Sequence, residues 1–576
     1  MDAAADDGTF DWLFSSSLFP SAWPLEEEAV VEKQLPIAYE RTTPTELPNT
    51  SVVGPDEGRV RFHMLGSPHP ATLLAENTCQ VAPLLQVAKD RLLLLPTLAQ
   101  QIPDEEKQGT QKMLAAVSPE TLNVFVQLFF QHFDRLCSVV HRPTFDPNYC
   151  EVFLLGAICA LGSMYSAIEN ASRFGHSLMS LVNRAIFGVW PRTREYGRSL
   201  PFIQALLLNF NFFRSSGTRE MLELAESLRS PLTTMIRKCR LLEPGEGRHP
   251  EDWKAWVDCE TKKRTAWAYF TADMELSMVW SLAPSFAFDE LNAELPGDEA
   301  RWRAASAATW RSIGDNSPRI LLNQLHTDPH ALYLCGSGAQ KVVFSSSLCS
   351  LGTSLHSMRS SCLDAVIDMA TSQLVQACQA LRFSGTSTAL PELLLRFMML
   401  ISTIDTYDLQ ALVRATDTDA AFERVERRLA RANALEHVLV QAGRIVGLCR
   451  TQASESLYEG CFFFYAASAL YGCSRILLGR ALPVDCTSQR IDGLAALSPA
   501  TGEPFRPLLE GIGDITALDA PWRILNHYSS YLLNRPLRTS WPITGLLGRF
   551  LADMASAVVA SSGQPASTPG RIVSRV

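Results

Sequence analysis

Apolar residues in this chain return at every third or fourth position in segment after segment, while strict alternation is hard to find over more than a few residues. The first spacing lays one apolar stripe along a helix, and the second would mark a half-buried strand. An all-α, multi-helical fold is therefore expected. The clearest stripe is Leu122, Val126, Phe129, Phe133, Leu136 and Val140. Ser118-Pro119-Glu120 precedes it with the chemistry of a helix start: a side-chain cap, a proline suited to the first turn and an acid near the positive end of the dipole. His141-Arg142-Pro143 should close it, because a residue before proline is pushed out of the α region. An earlier helix is expected over 83–95, ended by Pro96, with a polar link around 103–110. Later helices are expected over 199–213, 220–241, 252–282, 361–381, 389–412, 420–450 and 455–480, and Gly/Pro clusters at 243–250, 482–506 and 562–570 read as loops or tails.

A chain of 576 residues exceeds the roughly 250 to 300 at which one core usually stops growing, so at least two packed subdomains are expected. With 47% hydrophobic and 19% charged residues, most of it should fold. The first 75 residues are the exception, an acidic, aromatic and mostly disordered segment. Eight acids precede the first base, Lys33, and among them stand Phe10, Trp12, Leu13, Phe14 and Trp23. Such a segment cannot bury its own apolar groups, but it can dock a short amphipathic turn on a partner. A transactivation segment and a plain disordered leader are equally open readings. Residues 76–117 read as a helix and linker, 118–305 and 306–558 as a continuous helical region, and 559–576 as a disordered tail.

The net charge of −9 argues against a broad phosphate-binding surface. The acidic start lacks the pattern of a secretory leader, so an intracellular protein is expected. Fourteen cysteines stand singly between Cys79 and Cys486, with no Cys-x-x-Cys pair from which a zinc finger or ribbon could begin. They read as reduced, small hydrophobes. The apolar stretch 152–168 is short for a bilayer and broken by Gly156, Gly162 and Ser163, so a buried helix is expected there and no membrane partner. No phosphate-cradling glycine loop occurs. His326 and His330 have Pro329 between them and read as loop residues, and the elbow-like run from Gly385 lacks the strand that a nucleophile elbow needs. No catalytic, cofactor-binding or metal-binding set emerges.

Residues 125–145, FVQLFFQHFDRLCSVVHRPTF, resemble the opening signature of the fungal-specific transcription factor domain, with His141, Arg142, Pro143 and Phe145 matching its His-Arg-Pro-x-Phe. Ala160-Leu161-Gly162 resembles the helix that follows. A third block holds Trp253, Trp256, Glu260, Lys263, Arg264, Trp267 and Asp273, similar to the family's helix of tryptophans, glutamate, paired basic residues and aspartate, with Lys263 in place of an arginine. Leu295-Pro296 and Trp302 continue the order. The resemblance implies a helical regulatory domain in a nuclear, pathway-specific regulator of RNA polymerase II genes that is not an enzyme, with the transcription machinery or co-regulators as partners and a homodimer compatible. The signature residues are read as structural: Glu260 and Arg264 have the i, i+4 spacing that pairs on a helix, and His141 and Arg142 stand where they can satisfy local backbone groups. An effector pocket beside them is the lesser reading. Family members carry zinc fingers or a six-cysteine cluster that this sequence lacks, so zinc is implied only if a finger lies upstream. A truncated gene model, a DNA-binding partner that reads promoter DNA for the chain, or a co-regulator without a reader all remain open, and truncation or divergence is favoured. The alternatives are a non-activating scaffold or co-repressor and an all-helical enzyme similar to a terpene cyclase. The latter needs an Asp-Asp-x-x-Asp motif; Asp405 and Asp408 form only a bare Asp-x-x-Asp, and the one Asp-Asp pair, Asp6-Asp7, is in the leader.

Overall fold

The computed structural model describes residues 65–562 except 100–102, 244–251, 315–319, 323–336, 359–363, 382–388, 414–417, 432, 453–455, 479–485, 494–504 and 536–540. Phe10, Trp12, Leu13, Phe14 and Trp23 lie outside the described residues, as do His326, His330, Gly385 and everything beyond 562.

Helices dominate, and the start at Ser118 forms as its chemistry dictates. Its Oγ accepts the Thr121 N–H at 3.2 Å, Pro119 occupies the first turn, and the helix runs Pro119–Leu128. Phe129–Phe133 then continue as a π turn, in which the Asp134 N–H reaches back five residues to the Phe129 carbonyl at 3.0 Å. The stripe therefore leaves the α-helix earlier than expected, and Val140 sits in the following loop. The apolar helix Val152–Ser163 is only 12 residues long and buried almost throughout. Glu151 caps it, taking the N–H groups of Phe153 and Leu154 at 3.0 and 3.2 Å. Leu200–Ser215, Arg219–Lys238 and Trp253–Val279 follow close to the expected places. Asp252 starts the last of these by accepting the Ala255 N–H at 3.1 Å.

Other segments differ from expectation for local reasons. Pro83 lies before its helix, which begins at Gln86, and Pro96 sits in the first turn of the separate Leu95–Leu98. The polar link is the first half of a helix, Asp104–Ala116, whose opening acids Asp104, Glu105 and Glu106 face the positive end of its dipole. The span 389–412 divides into Leu390–Ile401 and Thr406–Leu412, because Asp405 caps a new helix through the Tyr407 N–H at 2.9 Å. The span 420–450 divides at Asn433, which takes a left-handed φ of 63° and cannot continue a helix. Helices at Ala171–Val189, Gly338–Ser357, Ala520–Asn534 and Pro542–Ser562 add to those expected. A small sheet stands where the 482–506 loop was expected: Thr487–Arg490 pairs in parallel with Phe505–Leu509, which pairs antiparallel with Gly513–Asp514. Phe505, Pro507 and Leu509 alternate inward, a run too short to signal itself in the sequence.

The two subdomains expected from length do not have separate cores. Buried apolar residues from Leu84 to Ala555 form one connected cluster, with a small satellite around Trp256, Trp302 and Trp310. The helix Glu459–Leu478 is the reason. It is apolar on all sides and long enough to cross a membrane, yet 89% of its apolar window is buried inside the protein, where it needs neighbours on every face. The Tyr465 hydroxyl donates to the Val279 carbonyl at 2.8 Å, and Tyr458, just before the helix, donates to the Arg214 carbonyl at 3.1 Å. Pro542–Ala560 is also long and apolar enough to span a bilayer, with 56% of its window buried.

Candidate functional site

The two sequence blocks meet at a junction of aromatic rings and ion pairs. Arg264 stands at its centre on Trp253–Val279. Its Nε donates to Glu260 Oε1 at 2.9 Å, Nη1 to Glu299 at 2.8 Å and Nη2 to the Gly297 carbonyl at 3.2 Å. Every face of the guanidinium is used, because its plane also lies 4.6 Å from the Trp302 ring. Glu260 is 1% exposed and accepts the Gly297 N–H at 2.7 Å as well. Burial works to raise its pKa, yet the Arg264 and Lys263 charges beside it hold the carboxyl below its ordinary value. Trp302 turns toward the first block, donating to Ser138 Oγ at 2.9 Å and meeting the His141 ring edge-on at 4.6 Å.

His141 is buried and bonded through Nδ1 to Thr144 Oγ1 at 2.8 Å, and burial pushes its pKa down to about 4, so the ring is neutral at pH 7. Arg142 donates to the carbonyl of Gln80 at 3.1 Å, Pro143 sits in a one-turn 3-10 helix, and Phe145 packs on Phe130 at 4.9 Å. Farther along Trp253–Val279, Trp267 donates to the Glu294 carbonyl at 2.9 Å, and Asp273 takes Arg229 at 2.7 Å and both polar hydrogens of Ser285. Trp256 belongs to the satellite cluster, where Arg301 lies over it and over Trp310.

Beside this junction lies a cavity of about 280 Å³. The π turn delivers Asp134, Arg135 and Cys137 to one wall, Trp253–Val279 gives Trp267, Ala268 and Glu275 to another, and the start of Gly338–Ser357 closes a third. Arg214 and Glu275 form a buried pair at 2.9 Å, braced by Asn211 on the arginine at 2.9 Å and Ser456 on the carboxylate at 2.6 Å. Asp134 differs from them. Its Oδ1 is sealed from solvent without a hydrogen-bond partner, and burial, with Glu299 adding to it, pushes the carboxyl up to about 7 despite Arg303, Arg264 and Arg142 nearby.

Asp134, Arg214, Glu275 and Ser456 were not singled out from the sequence. Asp134 stands inside the quoted first block, but nothing in its spacing signals the wall of a cavity, and Ser456 comes to Glu275 across 181 residues. Asp405 and Asp408 are committed elsewhere, the first to its cap and to His356 at 3.4 Å, the second to Arg424 at 2.8 Å. Among the described residues no group of three His, Cys, Asp or Glu side chains is placed to hold a metal, and twelve cysteines are free, seven of them buried.

Comparison with known proteins gives a family match and several relatives. Residues 126–383 match the model of the fungal specific transcription factor domain. The chain is 29% identical over 250 residues to the nicotinate catabolism cluster-specific transcription factor of Emericella nidulans, covering 41% of this chain and 28% of that protein. It is 22% identical over 224 residues to a transcription factor of Gibberella fujikuroi, 38% of this chain and 30% of the other, and 25% identical over 245 residues to the zinc finger protein klf1 of Schizosaccharomyces pombe, 40% and 31%. The matched stretch is thus less than a third of each of these relatives' own length. No solved structure matches. Both blocks of the buried junction, His141 to Phe145 and Trp256 to Asp273, fall within residues 126–383, the stretch that is similar to the fungal specific transcription factor domain.

Proposed function

We propose that the chain is a pathway-specific transcription regulator working in the nucleus, in which the helical domain restrains or transmits activity and residues 1–35 recruit the transcription machinery. The observation that carries this reading is the match over 126–383 to a domain found in transcription factors, one of them named for a catabolic gene cluster. The acidic balance and the scattered cysteines support a chain whose DNA recognition comes from outside these 576 residues, through an upstream finger or a DNA-binding partner. The signature residues act as a frame: Glu260, Arg264 and Trp302 lock two distant stretches together, and none of the three needs to touch a ligand for that role.

The test is a tethered reporter assay. The full chain, fused to a heterologous DNA-binding module, should raise output from a reporter carrying that module's site. Deleting residues 1–35, or replacing Trp12, Phe14 and Trp23 by alanine, should return output to background. A full chain that lowers output is a repressor and ends the activator reading. One that leaves it unchanged, although expressed and nuclear, ends the regulator reading.

A further inference from the structure

Exposed arginines beside acids are tied up in this domain, as Arg237 is to Glu290 at 2.6 Å and Arg240 is to Glu243. Next to them five exposed cations hold nothing. Arg192, Arg194, Arg198, Lys238 and Lys262 form no side-chain hydrogen bond and no ion pair among the described residues. They share one face. The three arginines follow the end of the helix Ala171–Val189, the last two in the short 3-10 helix Arg194–Arg198. That turn packs on the end of Arg219–Lys238, where the Cys239 thiol donates to the Gly197 carbonyl at 3.7 Å. Lys238 precedes this cysteine. Burial raises the Cys239 pKa while the Arg198 and Lys262 charges pull against it, which puts both cations beside the thiol. Glu195 and Asp258 are the free acids closest to them in sequence, so cations outnumber carboxylates on the face.

Aromatic surface stands among these charges. Phe187, 36% exposed, meets the half-buried Trp190 edge-on at 6.1 Å, and Trp190 lies against Gly197, where an added Cβ would be 2.7 Å from its Nε1. Such a face suits a segment that carries both acids and rings, since carboxylates pair with the cations while rings meet ring edges and guanidinium planes. Residues 1–35 have that composition, with eight acids before Lys33 and Phe10, Trp12, Phe14 and Trp23 among them.

The reach is also right. The Gly66 N–H donates to the Glu169 carbonyl at 3.0 Å, so the described chain begins at one end of the helix Ala171–Val189 and the cationic face lies at the other. Nineteen helical residues separate the two ends by roughly 30 Å. A flexible chain the length of residues 36–64 has a root-mean-square span of about 30 Å. A tethered segment reaches its highest effective concentration, on the order of millimolar, when linker and distance match in this way.

We propose that the face formed by Arg192, Arg194, Arg198, Lys238 and Lys262 is the docking surface for the chain's own acidic, aromatic residues 1–35. DNA phosphates would use the charges alone, whereas the ring edges and the tether favour the chain's own segment. The contact rests on charge and reach and can exist in a chain that activates nothing. Docked there, Trp12, Phe14 and Trp23 are withheld from the transcription machinery, and that consequence alone rests on the regulator reading.

The test is zero-length carbodiimide cross-linking of the purified full chain, read by mass spectrometry. Bonds are expected between acids of residues 1–35 and Lys238 or Lys262, falling at least about fivefold from 50 to 500 mM salt as the charges are screened. In an equal mixture of unlabelled and 15N-labelled chains, each cross-linked pair should come from one chain. The variant Arg192→Glu, Arg194→Glu, Arg198→Glu keeps both reactive lysines and removes no bond of the fold, so it should lose the cross-links at an unchanged thermal midpoint. Trp12→Ala, Phe14→Ala and Trp23→Ala together should lower their yield several-fold. Absence of cross-links to both lysines, undiminished yield in either folded variant, or mixed-label pairs at the statistical level would each overturn the proposal. So would a random-sequence DNA duplex that binds the parent and not the triple-arginine variant while no cross-link forms, because the face would then serve phosphates.

Discussion

Replacing Gly162 by alanine sets two effects of opposite sign against each other. In a helix interior this change normally stabilises by about 1 kcal/mol, because alanine loses less backbone freedom on folding. Here the helix Val152–Ser163 crosses Pro119–Leu128 so closely that an added Cβ would stand 1.7 Å from the Phe125 carbonyl oxygen and 2.6 Å from its carbon. The obstacle is backbone, not the end of a flexible side chain, and the helices would have to part by roughly 1.3 Å to restore a tolerable contact. Overpacking of this kind costs about 1–3 kcal/mol, and a rigid obstacle places it at the upper end. The sum is a net loss of about 2 kcal/mol. Gly109 supplies the control: it lies inside the helix Asp104–Ala116, and a Cβ there meets nothing within 4 Å. Gly109→Ala should therefore stabilise by about 0.5–1 kcal/mol. Urea unfolding of the full chain, followed by tryptophan fluorescence and circular dichroism, measures both. If Gly162→Ala proves as stable as the parent, the close crossing does not exist as described.

Two further expectations follow from the buried charges. Arg264→Met leaves Glu260 and Glu299 without their main partner. Breaking such a pair costs about 3–5 kcal/mol, and Lys263, 3.1 Å from Glu260, holds the loss to the low end. Glu260→Met together with Arg264→Met should recover much of that loss, and equal urea midpoints for the single and double variants would defeat the pairing argument. Asp134 makes a pH prediction. Its folded pKa of about 7 exceeds the ordinary 3.8, so between those values the native state holds a proton that the unfolded state has released. Its contribution is intact below about pH 4 and lost as pH rises through 7. Asp134→Asn should match the parent in stability at pH 4 and exceed it at pH 8, and a stability difference independent of pH would refute the assignment. Taking the difference between the two chains cancels the opposite slope of His141, whose folded pKa is lowered.

The helical class, several helix starts and the Glu260–Arg264 spacing were all legible from the sequence, because each depends on residues within about four positions of one another. Ser118, Pro119 and Asp252 specify their helix starts through atoms they carry themselves. The breaks at Asp405 and Asn433 were harder to see, since a cap or a left-handed residue inside a long apolar pattern looks the same as a helix interior until the chain turns. The cavity was not legible at all. It needs Asp134 from the π turn, Arg214 and Glu275 from two different helices and Ser456 from far along the chain, and their common position depends on how helices stack around the all-apolar Glu459–Leu478. Local chemistry decides where a helix begins; which side chains are left facing an unfilled volume is decided only by long-range packing, since the close approach at Gly162 and the buried pairs are set by both partners at once.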